Sequence, residues 1–413
     1  MSRSRKFCLL LLFALLTACA KPVCPPPVCP EPPPPVVCPE PPPVVPEPPV
    51  PPPVVKVPQL TAVGWEALEG WALDDPREAL TAFRKSCTSV GKRPDWKQVC
   101  ADAAGLDGQD PLVVRSFFET RFLPYRVNSS EGKNTGLITG YYAPDLLGSR
   151  QPDQRFRYPL YAVPDDLLVI DLRSVYPDLA NYRLRGRIEG RRVVPYWSRA
   201  DIDAGKAPVL GNELFWVEDP VELFFLQIQG SGRISTPTGE EVMVGFAEQN
   251  GHPYRSIGKL LLDRGAMTRD QMSMQNIKAW ARANPSEVAQ LLAENPSYVF
   301  FRELAPELTT PLGALGVSLT PERSLAVDPR TIPLGAPVFL ATTRPLSETP
   351  LQLLMVAQDT GGAIKGAVRA DFFWGMGNEA GALAGRMKQQ GRLWLLWPQD
   401  APPPAGSLET SVK

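Results

Sequence analysis

The chain has 413 residues, enough for about two domains, and its 44% hydrophobic fraction can fill a sizeable core. A formal net charge of -1 gives no electrostatic preference for nucleic acid or for an anionic membrane. With His252 as its one histidine, a metal site would have to come from carboxylates and cysteines, which argues against a zinc hydrolase, and a Ser-His-Asp triad would have to use that residue, which lies in the turn-like NGHPY.

The N-terminus reads as a secretory signal: Arg3, Arg5 and Lys6 precede the apolar run Leu9 to Leu16, which is too short to span a bilayer. Leu16-Thr17-Ala18-Cys19 resembles the lipobox of bacterial lipoproteins, which implies cleavage after residue 18 and acylation of Cys19. Ala20 and Lys21 follow it, with no Asp to favour inner-membrane retention, so the implied address is the outer membrane, facing the periplasm. Residues 19–59 are mostly proline and valine and are predicted to form an extended tether. At ~3.1 Å per residue it could reach on the order of 100 Å into a cell-wall layer. Docking of this segment into an aromatic groove is a second use for such a composition. Cys24, Cys29 and Cys38 lie within it and could link chains.

The mature body opens with helices. Asp75-Pro76 starts one that carries Leu80, Phe83 and Cys87 at helical spacing, Trp96, Val99, Cys100 and Ala103 mark a second, and Asp110-Pro111 starts a third. Cys87 and Cys100 each fall on an apolar face, which fits a disulfide or two buried thiols equally. GLITGYY then reads as a strand. From Asp145 to about Gln249 the pattern is β-rich: RYPLYAV, the hairpin-like YRLRGRIEGRRVVPYW turning at Glu189-Gly190, and ELFFLQIQGSGRI. Helices return at Arg255 to Arg264, between Thr268 and Ala283, and from Ser286 to Glu294. The last part, from Tyr298 to Pro398, has the short apolar runs of a small barrel: YVFF, SLAV, PVFLA, LQLLMVAQ, GAVRADFFW and RLWLLW. The tail at 399–413 is expected to be disordered.

Asp328, Asp359 and Asp371 each end an apolar strand-like run in this last part. One aspartate there is commonly a cap or turn former. Three carboxylates brought together can raise one another's pKa, as a general acid at neutral pH requires, while Lys365 or Arg369 would oppose that shift if they approached Asp371.

TGYYAP, LQIQGSG, NGHPYRSIGKLLLDRG, MSMQNIKAW, NPSYVFF and DTGGAIKGAVRADFFWG occur in the order seen in membrane-bound lytic transglycosylase A proteins, and the run from Asp328 to Trp397 resembles their 3D domain. The resemblance covers roughly Leu60 to Pro398. It implies an α+β fold, mainly β: a double-psi β-barrel from residues 60–144 and 298–398, a β-domain inserted at 145–297, and a substrate groove between them. It also implies a lytic transglycosylase that cuts peptidoglycan glycan strands between N-acetylmuramic acid and N-acetylglucosamine. Asp371 would be the acid and base, with Asp359 and Asp328 as neighbours. Thr139, Tyr141, Gln229, Gly230, Ser231 and Gly232 are the candidate substrate-binding residues, while Tyr142 and Trp374 could be sugar contacts or core. The mechanism calls for no metal or organic cofactor. Implied partners are the glycan strands, the outer-membrane lipid and cell-wall synthesis or scaffolding proteins. Two alternatives remain: a hydrolase that uses Asp359 or Asp328 as a second carboxylate, and an expansin-like, non-catalytic wall-binding module.

Overall fold

The computed structural model describes residues 59–407. The signal segment, Cys19, the tether with its three cysteines and residues 408–413 lie outside the described residues. Among those described, no helix is long and apolar enough to cross a membrane.

After β1 (Leu60–Ala62), the three helices read from the sequence form as α1 (Arg77–Val90), α2 (Pro94–Gly105) and α3 (Pro111–Arg121). Proline occupies the first turn of α2 and α3, where its missing N–H costs nothing, and the Asp110 side chain caps α3 by accepting from the Leu112 amide at 2.8 Å. Ala79, Leu80, Phe83, Ser86 and Val90 form the buried stripe of α1, and Phe83 and Trp96 pack at 6.2 Å between ring centroids. Cys87 and Cys100 are joined in a disulfide that ties α1 to α2. Closing so short a loop is worth about 3 kcal/mol.

β2 (Phe122–Val127) and β3 (Gly136–Ala143) follow, and the chain then leaves for a second sheet. Its elements are β4 (Asp145–Ser149), β5 (Tyr158–Tyr161), β6 (Leu168–Val169), β7 (Arg185–Glu189), β8 (Arg192–Pro195), α4 (Arg199–Asp203), β9 (Glu213–Val217), α5 (Pro220–Gln229), β10 (Ser231–Ser235), β11 (Glu241–Gln249), α6 (Ile257–Asp263), α7 (Met274–Ala283), α8 (Pro285–Ala293) and β12 (Val299–Glu303). Six strands run in the order β12-β11-β10-β4-β9-β5, and β6-β7-β8 form a separate small sheet. In the expected hairpin Glu189 pairs with Arg192, so the turn is Gly190-Arg191, one residue later than predicted.

Three expectations are corrected here. ELFFLQIQ is a helix and not a strand. Asp219 caps it by accepting from the Val221 amide at 2.7 Å, Pro220 sits in its first turn, and it is buried so nearly all round that its apolar run has no readable period. The YVFF run, grouped above with the last part, forms β12 and pairs with β11 of the second sheet. The described part of the tail, residues 399–407, is ordered: the Trp397 indole donates to the Pro402 carbonyl at 2.8 Å, and Ser407 bridges to Leu60.

The chain returns through β13 (Ser324–Val327), β14 (Pro337–Thr343), β15 (Pro350–Asp359), β16 (Ala370–Met376), α9 (Gly377–Ala384) and β17 (Lys388–Pro398). Glycines at both ends and in the middle of α9 hide it from sequence-based reading. The first sheet has the order β1-β2-β17-β14-β15-β13-β16-β3, and β17 also pairs with β3, so six strands return on themselves. The largest core lies within this sheet and under α1 to α3, and three smaller clusters serve the second sheet and its helices. The fold is mixed α+β and mostly sheet.

Candidate active site

Strand register brings the chemistry together. β3 and β16 are parallel with Thr139 opposite Asp371, β16 and β13 are antiparallel with Asp371 opposite Ala326, and Ala326 in turn faces Asp359 of β15 across a bulge. Thr139, Asp371 and Asp359 therefore lie on one row across four strands.

Asp371 is held on two sides. The Thr139 hydroxyl donates to Oδ1, and the Arg369 guanidinium donates to the same oxygen at 2.7 Å and to the Thr139 Oγ1 at 2.8 Å. Side-chain exposures of 19% for Asp371 and 15% for Arg369 leave the carboxyl open at one edge. Arg369 thus does approach, and it fixes the orientation of the carboxyl group.

Asp359 is densely surrounded by protein without being sealed from solvent. Burial pushes its pKa up to about 6, against hydrogen bonds from the Ala314 and Thr360 amides at 2.8 and 2.9 Å; the Tyr141 hydroxyl also lowers it, and Asp371 adds a smaller raising effect. The Tyr141 ring packs on Phe373 at 5.1 Å. Its hydroxyl is buried, interacts electrostatically with both carboxylates and makes no regular hydrogen bond, and burial raises its pKa strongly.

Asp328 behaves in the opposite way. Its carboxylate receives Arg330 through Nε at 2.9 Å and Nη2 at 2.5 Å, and the Gly366 amide at 2.8 Å. Arg330 in particular holds its pKa down to about 2. The expectation that all three carboxylates raise one another fails here, because a guanidinium is nearer than either acid. Asp328 ties the loop containing Gly366 to the end of β13.

Of the other predicted residues, Gln229 touches the β3 side of the site by accepting from the Tyr142 amide at 3.2 Å. Gly230 caps α5 in the left-handed region with φ 80°, and Ser231 opens β10. Gly232 is buried, and a Cβ there would stand 2.7 Å from the Pro144 carbonyl oxygen and 2.6 Å from Leu226, so close packing explains this glycine. Tyr142 and Trp374 are core, with polar atoms facing the sulfurs of Met274 and Met387. His252 Nε2 lies 2.7 Å from the Tyr196 carbonyl oxygen, a turn contact in the second sheet's region. No cluster of potential metal ligands occurs among the described residues. Two clefts of about 390 and 240 Å³ are lined by Arg77 and Arg323 in one case and by Thr342 and Arg392 in the other, and neither contains Asp371.

Residues 137–302 match the family model described as the MltA specific insert domain, and residues 323–397 match the 3D domain. The chain is 34% identical over 312 residues to membrane-bound lytic murein transglycosylase A of Vibrio cholerae, covering 72% of this chain and 74% of that protein. It is 35% identical to the Escherichia coli K12 protein of the same name, over 66% and 68% of the two chains. The crystal structure of MltA from Neisseria gonorrhoeae aligns with TM-score 0.73 and 42% identity, covering 83% of this chain and 94% of that one. The structure of E. coli MltA with bound chitohexaose aligns with TM-score 0.61 and 29% identity, over 83% and 92%. Two family models in series and relatives matched along most of their length establish that the chain belongs to the membrane-bound lytic murein transglycosylase A family.

Proposed function

We propose that this chain is a lytic transglycosylase of peptidoglycan that cleaves the β-1,4 link between N-acetylmuramic acid and N-acetylglucosamine without water. The observation that carries the reading is one half-open carboxyl, Asp371, fixed by Thr139 and Arg369 on a row shared with Asp359. Protonated Asp371 gives its proton to the glycosidic oxygen, and the bond opens towards an oxocarbenium-like state. The same carboxylate then takes the proton from the C6 hydroxyl of the muramic acid, whose oxygen closes on C1 to leave a 1,6-anhydro ring. One carboxyl serves both steps because the nucleophile belongs to the substrate. The buried Tyr141 hydroxyl, which makes no regular hydrogen bond, is suited to a sugar hydroxyl or to protonated Asp359.

In this reading the ring of six strands is a double-psi β-barrel, a description supported by its two parallel pairings, β13 with β15 and β3 with β16. The glycan lies between it and the inserted second sheet. The relatives' names call them membrane-bound, and together with the lipobox-like Cys19 this supports an outer-membrane lipoprotein facing the periplasm, with wall-synthesis or scaffolding proteins as further partners.

A second reading, a hydrolase in which Asp359 activates water, is favoured by the raised pKa of that residue, which suits a general base. Mass spectrometry of the fragments released from purified peptidoglycan separates the two. Anhydro-muropeptides from the parent and none from Asp371→Asn are the expected outcome. Reducing ends would establish hydrolysis, and binding by both proteins without release would leave a wall-binding module.

A further inference from the structure

On β11, Val244 and Phe246 share one face because strand side chains alternate. Val244 is sealed beneath α5 with Leu223 and Leu226. Phe246 lies just past the point where that helix stops, its amide donating to the Gly230 carbonyl at 2.6 Å, and it is 40% exposed. Phe301 of β12, directly opposite in the register, is fully buried. A ring on a core face is therefore left uncovered where its neighbours are not, an arrangement that folding alone does not favour.

The surroundings indicate what covers it. Gln229, next to Gly230, bonds to the Tyr142 amide of β3, three residues (about 10 Å of strand) from Thr139 and hence from Asp371. Beyond Phe246 a bulge shifts the register to Phe300, so Glu248 and Arg185, paired at 2.9 Å, belong to the opposite face of the sheet and leave the Phe246 ring open. An aromatic face beside an amide, linked through it to the strand that pairs with the one holding the acid, is complementary to a sugar ring with its apolar face and polar edge.

We infer that Phe246 is a stacking platform for an N-acetylhexosamine ring of the glycan strand, some units away from the bond that Asp371 cuts. The inference rests on the glycan-cleaving reading above. It adds a remote subsite, whose binding energy holds a long strand in register.

The test is calorimetric titration of the whole chain carrying Asp371→Asn with chitohexaose, so that binding is read without turnover. In this background Phe246→Ala weakens binding about tenfold, the loss of one well-stacked ring, and Phe246→Tyr stays within about twofold. Ile188→Ala on β7, which removes a still more exposed apolar side chain elsewhere in the second sheet's region, leaves the affinity where it was. With Asp371 intact, Phe246→Ala raises KM for glycan strands and spares kcat. Affinity and KM that do not respond to Phe246→Ala would overturn the subsite while leaving the cleavage reading in place. Equal losses from Phe246→Ala and Ile188→Ala would also overturn it. A parent chain that neither binds nor cuts glycan would overturn the cleavage reading itself, and the subsite with it.

Discussion

At Asp359 burial outweighs the hydrogen bonds that favour the anion, whereas at Asp328 the Arg330 guanidinium outweighs burial. For Asp359 the folded pKa of about 6 stands above the ordinary 3.8, so the folded state binds the proton more tightly than the unfolded state. Stability therefore falls as pH rises from about 4 through about 6, and above that range the ionised, crowded carboxylate costs on the order of 1–3 kcal/mol, allowing for its partial access to solvent. Asp359→Asn keeps an oxygen for the Ala314 and Thr360 amides and removes the charge. The variant is thus expected to be more stable than the parent in urea at pH 7.5, with the gain gone at pH 4. Equal or lower stability at pH 7.5 would mean that the carboxylate is better solvated than its packing indicates. In the sequence Asp328, Asp359 and Asp371 look alike, each ending an apolar run. What separates them is the neighbour that folding supplies: Arg330 two residues on, burial between strands, or Thr139 from far along the chain. Only the resemblance to a family singled out Asp371 beforehand. Phe246 gave no signal at all, since an aromatic in a strand is ordinarily core.

Among the elements, proline and aspartate at helix starts made α1 to α3 legible, and the short apolar runs gave the strands of the closed ring. The ELFFLQIQ helix was missed because buried helices and buried strands share the same unbroken apolar composition, although Asp219-Pro220 before it and Gly230 after it were usable punctuation. Just beyond that helix stands Gly232. A candidate substrate-binding residue by family resemblance, it is also the point where β10 passes under α5 and beside Pro144. Gly232→Ala would press a methyl against a backbone carbonyl that cannot move aside as a side chain tip can. A loss of about 1–3 kcal/mol in denaturant unfolding is expected, with chitohexaose affinity per folded molecule little changed. A variant of parental stability that no longer binds would return Gly232 to the substrate-contacting set.

For the whole molecule, the chain leaves the first sheet at Ala143, builds the second sheet, and comes back to complete a ring in which β3 pairs with β16 and β17. Such long-range pairing has no local sequence signature: the short apolar runs suggested a small barrel in the last part, but only the family resemblance put residues 60–144 into it. The excursion also has a mechanical meaning: Asp371 belongs to the first sheet and Phe246 to the second, linked through Gln229 and the Tyr142 amide. A strand of sugars lying across both should slow local opening in both. Chitohexaose at a hundred times its Kd adds about 2.7 kcal/mol to the stability of the bound state. Hydrogen exchange of the Asp371→Asn chain with and without it should show protection gained in Gly136–Ala143 and Ala370–Met376, and also in Glu241–Gln249. Protection confined to the first two segments would place the glycan on the ring alone and remove the second sheet from substrate binding. Protection confined to the third would separate the glycan from Asp371 and leave that carboxyl without a substrate.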